Sequence, residues 1–138
     1  MAYDKDNIFA RIVRGEIPCH KVYEDADTIA FMDIMPQAEG HTLVVPKVAG
    51  EDLFSTPPES VTAAIRTVQK VAGAVKKAFG PPGVMVAQLN GSAAGQSVFH
   101  LHFHVIPRHG GKDLKIHAAE PADHKLLAEH AARIRAAL

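Results

Sequence analysis

The sequence predicts an α+β fold: an antiparallel sheet of about five strands, covered by one long helix and accompanied by short N-terminal and C-terminal helices. Two patterns predict it. Short runs rich in β-branched and aromatic residues are separated by turn-forming residues, without the regular strand–helix alternation of a parallel sheet. Apolar residues then recur at helical spacing through segment 57–79. The 138 residues, 47% hydrophobic and 22% charged, match one globular domain spanning 1–138.

Charge, cysteine content and hydropathy narrow the class of protein. Acidic and basic residues balance at 15 each, so no net charge attracts nucleic acid or an anionic membrane. Cys19 is the only cysteine, which rules out an intramolecular disulfide and a Cys-x-x-Cys zinc clip. Stretch 1–7 is charged and leads into no apolar signal segment, and no run approaches the roughly 18 apolar residues of a membrane span. We therefore expect a soluble, cytoplasmic protein with no nucleic-acid or membrane partner.

The first part of the chain predicts a short helix and three strands. Segment 6–16 has apolar residues at helical spacing, with Asp6 or Asn7 as the N-cap and Gly15 as the stop. The strands are predicted over 21–24, 28–32 and 41–46, the first two joined as a hairpin and the third ended by Pro46.

The second part predicts the long helix, two further strands and a final helix. Thr56, Pro57 and Glu59 form a capping-box signature, and Gly80 begins the glycine- and proline-rich end of this helix. Its apolar stripe consists of Val61, Ile65, Val68, Ala72, Val75 and Phe79. The other elements are strands over 84–89 and 99–106 and a helix over 121–137, with Leu127, Ala131, Ile134 and Leu138 on one side.

Three histidines occupy alternate positions in the last predicted strand. Because successive strand residues point to opposite faces, His100, His102 and His104 are predicted on one face, and the apolar residues between them on the other. Imidazole suits proton transfer because its pKa lies near neutrality. The outer two histidines of such a strand lie about 13 Å apart, so a zinc ion with ligands at about 2.1 Å would need help from elsewhere in the chain. A solvated polar face is the remaining alternative.

The loop before these histidines suits an anion. It is small and glycine-bearing from Gly91 to Gly95, and Gln96 and Ser97 add hydrogen-bonding side chains. Its backbone N–H groups can approach a phosphate, although small residues before a strand also form simple turns. A P-loop is excluded because the Gly-Lys-Ser/Thr ending is absent. Loop and histidines together predict phosphate chemistry in which one imidazole attacks phosphorus and another moves a proton.

The run His100-Leu101-His102-Phe103-His104-Val105-Ile106 resembles the His-x-His-x-His-x-x signature of the histidine triad (HIT) superfamily. Further stretches are similar, in order, to its Hint branch of nucleotide-binding hydrolases: Asp6-Asn7-Ile8-Phe9, Ile17-Pro18, Val22-Tyr23-Glu24-Asp25, 30–34, Pro36-Gln37-Ala38 and 40–47. The resemblance implies a HIT-like fold and a homodimer without a cofactor. The implied activity is hydrolysis of purine nucleoside 5′-phosphoramidates, such as adenosine phosphoramidate, AMP-lysine or aminoacyl-adenylates, through a nucleotidyl-histidine intermediate.

The resemblance also implies roles for individual residues. His102 is the implied nucleophile, His104 contacts the phosphate and assists the leaving group, and Asp33 holds the ribose hydroxyls. His100 and His41 are implied to support the two reacting histidines. The other implied nucleotide-binding residues are Ile8, Phe9, Ile12, Ile17, Phe31 and Leu43 around the purine, Gln96 and Ser97 near the phosphate and leaving group, and Ile34 and Asn90.

Pattern alone interprets several of these residues differently. The helical spacing of Ile8 and Phe9 is typical of core residues. The position of Asp33 is typical of a turn residue, and that of His41, at the start of a strand, is typical of a structural residue. The histidines outside the motif are interpreted as surface residues: His20, His109, His117, His124 and His130.

The chain also departs from the family it resembles. Zinc-carrying bacterial relatives have a Cys-x-x-Cys pair and a later histidine where this chain has Asn7, Ala10 and Ala49, so the resemblance argues against structural zinc. Leu89 stands where many Hint proteins have an asparagine that faces the phosphate, and Asn90 would point the opposite way in a strand. The same triad would also serve a dinucleoside polyphosphate hydrolase of the Fhit type, and a non-catalytic nucleotide-binding module is the other alternative.

Overall fold

The computed structural model describes residues 2–110 and 120–138. It confirms the α+β prediction: five antiparallel strands form one sheet in the order β1-β2-β3-β5-β4. The strands are β1 (Lys21–Glu24), β2 (Thr28–Met32), β3 (Thr42–Pro46), β4 (Gly83–Ala87) and β5 (Phe103–Arg108), and the helices are α1 (Ile8–Val13), α2 (Pro58–Phe79) and α3 (His124–Ala137). Among these described residues, no helix has the length and apolar character needed to cross a membrane.

One face of the sheet is covered by α2 and α3. Buried residues of β2, β3 and β5 pack there against the apolar side of α2, and α3 adds Leu127, Ala131 and Ile134. The contact face of α2 differs from the predicted stripe: Val68 and Val75 are buried as predicted, but Ile65 is 47% exposed. The buried face runs instead through Ala64, Thr67, Val68, Val71, Ala74 and Val75.

Helix ends account for further corrections. The N-cap of α2 is Pro57, without a side-chain cap, because the Thr56 hydroxyl donates to the Asp52 carbonyl instead. The predicted capping box is therefore wrong. Gly80 ends α2 in the left-handed conformation (φ 60°), as its position predicted. Asp123 caps α3 by accepting from the Lys125 N–H, so this helix begins at His124 rather than at residue 121.

Two residues of the C-terminal helix region lie differently from the prediction. His130 is 5% exposed and packs edge-to-face on Phe79, with ring centroids 5.2 Å apart, so its interpretation as a surface residue is wrong. Leu138 follows the helix and is 48% exposed, so it lies outside the packed side. His117 lies outside the described residues.

The histidine strand is shorter than predicted, because β5 begins at Phe103 rather than at residue 99. The Leu101 N–H donates to the Gly50 carbonyl, and the His102 ring donates to the His100 carbonyl, so segment 99–102 leaves the sheet ladder. Leu101 and Phe103, the apolar residues between the histidines, are buried in the core between the sheet and α2, called here the α2-side core, as the alternation predicted. The three histidines, however, do not share one strand face.

The opposite face of the sheet has a much smaller cover. Phe9 and Ile12 of α1 pack there against Ile29, Phe31, Leu43 and Val45. Asn7 caps α1 by accepting from the Ala10 N–H at 2.9 Å, as predicted. Because α1 has only 6 residues, it covers part of this face and leaves a cleft beside it.

Candidate active site

A cleft of about 630 Å³ opens on the α1 side of the sheet, a volume typical of small-ligand sites. Its walls come from α1, the segment after it, β2, β3, β5 and the loop between β4 and β5. The lining includes the predicted apolar residues Ile8, Phe9, Ile12, Ile17, Phe31, Ile34 and Leu43. The lining also includes Asp33, His41, Ser97, His102 and His104. The fold therefore brings the implied base-binding and reactive residues into one cavity.

His102 lies just before β5 with its ring edge-on to Phe9, at a centroid distance of 4.8 Å. Its Nδ1 atom is 2.7 Å from the His100 carbonyl oxygen. A carbonyl only accepts, so Nδ1 carries the proton and Nε2 keeps a lone pair. Burial lowers the pKa of His102 to about 4, which keeps the ring neutral near pH 7. His102 therefore presents a neutral imidazole nitrogen suited to nucleophilic attack.

His41 and His104 form a chain of hydrogen bonds with a defined direction. The Gln37 N–H donates to Nδ1 of His41 at 2.9 Å, so Nε2 of His41 carries the proton. That Nε2–H donates to Nδ1 of His104 at 3.0 Å, which leaves the His104 proton on Nε2. Burial, followed by the charges of His104 and His102, lowers the pKa of His41 to about 3, and burial lowers that of His104. The backbone thus fixes His104 as a neutral N–H donor beside His102.

Asp33 follows β2 and lines the cleft next to this chain. One oxygen accepts the Met35 N–H at 2.8 Å, and the other lies 3.4 Å from Nε2 of His41. Burial raises the pKa of Asp33 to about 6, because a carboxylate loses hydration there. The side chain still keeps 19% of its surface exposed. Asp33 is therefore ionised at neutral pH and able to accept hydroxyl groups of a ligand.

His100 is separated from the other two triad residues. It is 1% exposed and lies outside the cleft lining. Its Nε2–H donates to the Pro46 carbonyl at 2.7 Å. The predicted common face of three histidines is wrong because the bend at 98–100 turns this ring toward β3. His100 reaches the cleft only through its carbonyl oxygen, which binds His102.

The amide side chains of the loop between β4 and β5 bind protein groups, within the loop and in segment 51–53. Gln96 is 4% exposed, donates to the Glu51 and Val98 carbonyls and accepts the Gly91 N–H. Asn90 accepts the Leu53 N–H and exchanges hydrogen bonds with Gln88. The structure places both side chains outside the cleft lining, whereas Ser97 and Leu89 belong to it. Gln96 and Asn90 therefore hold the shape of the loop.

Several cleft residues were missed by sequence reasoning. Gln37 orients His41 through its backbone, and the only available signal was the resembling run Pro36-Gln37-Ala38. Cys19, His20 and His124 also line the cleft, and Nε2 of His20 lies 2.9 Å from Nδ1 of His124. No pattern connects residues so distant in sequence.

A metal ion was one sequence-based alternative. Within residues 2–110 and 120–138, one group of three potential ligands is found, Asp33, His41 and His104, with ligand atoms within 4.8 Å of one another. The nitrogen that His41 offers to this group carries its proton, because the other nitrogen accepts the Gln37 N–H. A metal there would have to displace that proton and break the bond to His104. The hydrogen bonding therefore favours proton transfer at this group.

The histidine pair His102 and His104 lies beside an apolar cleft on a five-stranded antiparallel sheet. This arrangement defines a small-ligand site with a nucleophilic and a proton-donating histidine. The family can be named as well. A sequence model of the HIT domain matches residues 14–111, and the chain belongs to the HIT family.

Among three similar proteins, two have names that state an activity. The chain is 44% identical over 106 residues to "Protein hit" of Bacillus subtilis, covering 77% of this chain and 73% of that protein. It is 44% identical over 101 residues to adenosine 5′-monophosphoramidase hnt1 of Schizosaccharomyces pombe, covering 73% of each. It is 42% identical over 103 residues to adenylylsulfatase HINT3 of Arabidopsis thaliana, covering 75% of this chain and 52%, about half, of that protein.

Solved structures show the same architecture. A HIT-like protein of Bartonella henselae, described as involved in cell-cycle regulation and solved with an unknown ligand, superposes with a TM-score of 0.93 at 51% identity over 100% of both chains. A zinc-bound histidine triad protein of Mycobacterium smegmatis superposes with a TM-score of 0.84 at 37% identity, over 96% of this chain and 92% of that one.

Proposed function

We propose that this protein hydrolyses purine nucleoside 5′-phosphoramidates through a nucleotidyl-histidine intermediate on His102. One observation carries the proposal: the His100 carbonyl holds the Nδ1–H of His102, which leaves a neutral nitrogen lone pair in a nucleotide-sized cleft. The similar proteins named as an adenosine 5′-monophosphoramidase and an adenylylsulfatase support this substrate class.

The reaction has two balanced steps. In the first, Nε2 of His102 forms a bond to the α-phosphorus while the bond from phosphorus to the leaving nitrogen breaks. The Nε2–H of His104 gives its proton to the departing amine. In the second, water attacks phosphorus, returns a proton to His104, and releases the nucleoside monophosphate and the free His102 ring.

The surrounding hydrogen bonds suit both steps. When Nε2 of His102 bonds to phosphorus, its ring becomes positively charged, and the His100 carbonyl dipole stabilises that charge at Nδ1–H. When His104 loses its proton, its ring becomes negatively charged, and the Nε2–H of His41 stabilises that charge and keeps the ring oriented until water returns the proton. His41 and His100 thus position the two reacting imidazoles.

Substrate binding follows the division of the cleft. The base lies in the apolar end formed by Ile8, Phe9, Ile12, Ile17, Phe31 and Leu43, and Ile34 closes the ribose end. Asp33 accepts the ribose hydroxyls, and Ser97 faces the phosphate. Leu89 is an apolar residue in the same lining, so no side-chain hydrogen bond comes from that position.

We also propose that two copies associate as a homodimer. The resemblance implies it, and the edge strand β4 and the outer face of α2 each expose an apolar residue, Val86 and Ile65, both 47% exposed. Sedimentation at micromolar concentration measures the assembly. The proposal expects the mass of two chains, and a monomer contradicts it.

The test of the activity is release of AMP from adenosine phosphoramidate. We expect turnover by the wild type, a loss of at least about 10³-fold in His102→Ala because the nucleophile is gone, and a value within about twofold of wild type for the exposed control His109→Ala. Full activity in His102→Ala contradicts the proposed nucleophile.

Parallel assays separate the alternatives. Faster turnover of diadenosine polyphosphate would favour the Fhit-type reaction, and faster turnover of adenylylsulfate would favour a sulfate leaving group. AMP binding without turnover of any of these substrates would indicate a non-catalytic module. Loss of activity in chelator would indicate a metal-dependent reaction, whereas the proposal expects the activity to be unchanged by chelator.

A further inference from the structure

Tyr3 contacts the histidine triad from outside the cleft. Its hydroxyl lies 2.5 Å from Nδ1 of His100, and the two rings pack edge-to-face with centroids 5.7 Å apart at 63°. Tyr3 precedes residues 14–111, which match the HIT domain, and neither the triad motif nor the cleft includes it. Its contact to His100 is therefore outside the features described above for the site.

The proton positions on His100 require a donor where Tyr3 lies. Nε2 of His100 donates to the Pro46 carbonyl, so Nδ1 has a lone pair. His100 is 1% exposed, and a buried acceptor without a donor is costly. The Tyr3 hydroxyl supplies that donor, and burial raises the pKa of Tyr3, so the hydroxyl stays protonated around neutral pH. Two hydrogen bonds, one at each nitrogen, thus hold the His100 ring.

The placement of the His100 ring matters because the backbone carbonyl of the same residue binds His102, the proposed nucleophile. The His100 carbonyl accepts from Nδ1 of His102, and segment 99–102 lies outside the sheet ladder. The nearest backbone anchor is the Leu101 N–H, which donates to the Gly50 carbonyl at 2.8 Å. That bond holds the peptide unit of the carbonyl from its N–H side, and the His100 ring holds the same unit from the Cα side.

We propose that Tyr3 is a positioning residue of the reaction: its hydroxyl fixes His100, whose carbonyl fixes the proton of His102 on Nδ1 and its lone pair toward the substrate. The inference rests on the proposed function of His102. The N-terminal segment then supports the triad at two points, since Phe9 packs on His102 and Tyr3 bonds to His100.

The test replaces only the hydroxyl. Tyr3→Phe keeps the ring, and Tyr23→Phe is the matched control, because the chain has 2 tyrosines and the Tyr23 hydroxyl donates to Asp25 away from the cleft. We expect Tyr3→Phe to lower kcat about fivefold, the size of one net hydrogen bond, with KM and AMP affinity within about twofold of wild type. The control keeps both parameters.

A second readout does not depend on activity. Nitrogen-15 NMR of the histidine side chains reports which nitrogen of each ring is protonated. In wild type we expect His100 protonated on Nε2, with Nδ1 showing the shift of a hydrogen-bonded acceptor, and His102 protonated on Nδ1 alone. In Tyr3→Phe we expect Nδ1 of His100 to shift toward a free acceptor and His102 to show both tautomers.

The outcomes separate this inference from the proposed function. An unbonded Nδ1 of His100 in wild type overturns the role of Tyr3 without any variant. Unchanged His102 signals in Tyr3→Phe overturn it too, even if kcat falls together with thermal stability. Wild-type protein that turns over no nucleotide contradicts the proposed function, and the NMR result still decides whether Tyr3 positions His102.

Discussion

The two faces of the sheet carry similar apolar residues, but one face forms a closed core and the other lines an open cleft. On one face, Ala30 and Val44 pack under α2, which has 22 residues, and both side chains are fully buried. On the other, Phe31 and Leu43 face α1, which has 6 residues. Neighbouring positions of the same strands thus supply a closed core and the wall of an open cleft. The length of the covering helix, rather than the polarity of the strand, separates a core from a binding site.

After loss of the nucleophile itself, the largest expected effect lies at the polar end of the cleft. His104→Ala removes the N–H that protonates the leaving group, and we expect kcat to fall about 10²-fold or more. The free energy of unfolding should fall by about 1–2 kcal/mol, because buried His41 loses its acceptor, and by no more, because His104 does not belong to the α2-side core. Steady-state kinetics with thermal unfolding check both. A variant that loses stability and keeps kcat would indicate that His104 contributes to the stability of the fold and not to catalysis.

A matched pair on β3 tests the two faces directly. Leu43 lines the cleft, and Val44 next to it is buried under α2. We expect Leu43→Ala to raise KM for the nucleotide about tenfold through lost apolar contact. We expect Val44→Ala to leave KM unchanged and to lower the free energy of unfolding by about 2 kcal/mol through its cavity. Equal effects of both variants on KM would contradict the division into core and cleft wall.

The smallest expected effect is the dependence of substrate binding on pH. Because burial raises the pKa of Asp33 to about 6, the carboxylate becomes protonated as pH falls through 6, and we expect KM to rise a few-fold between about pH 7 and pH 5. Because burial lowers the pKa of His102 to about 4, the nucleophile stays neutral and kcat stays level over the same range. A kcat that falls near pH 6.5 would contradict a buried, neutral His102.

Much of the fold follows from local pattern. The runs of β-branched and aromatic residues in β2 and β3 and the helical spacing of α2 are properties of sequence alone, and the structure contains these elements near the predicted bounds. The departures arise where side chains compete for backbone groups. The Thr56 hydroxyl bonds to Asp52 instead of capping α2, and the His102 ring bonds to the His100 carbonyl and shortens β5.

The site is less predictable, because its proton positions are fixed by distant backbone groups. The Gln37 N–H sets the tautomer of His41, and the Pro46 carbonyl sets that of His100. Tyr3 lies 97 residues from His100 in sequence, so no spacing could connect them. The resemblance implied nucleotide contacts for Asn90 and Gln96 as well, but their amides bind backbone groups of their own loop and of segment 51–53 instead.

The most direct test is to trap the covalent intermediate. The wild type is mixed with adenosine phosphoramidate, quenched within milliseconds, and measured by intact-protein and peptide mass spectrometry, with His102→Ala as the control. The mechanism predicts one adenylyl group on His102 in wild type and none in the variant. Rapid AMP release in wild type without any adduct, together with equal AMP release by His102→Ala, would contradict it.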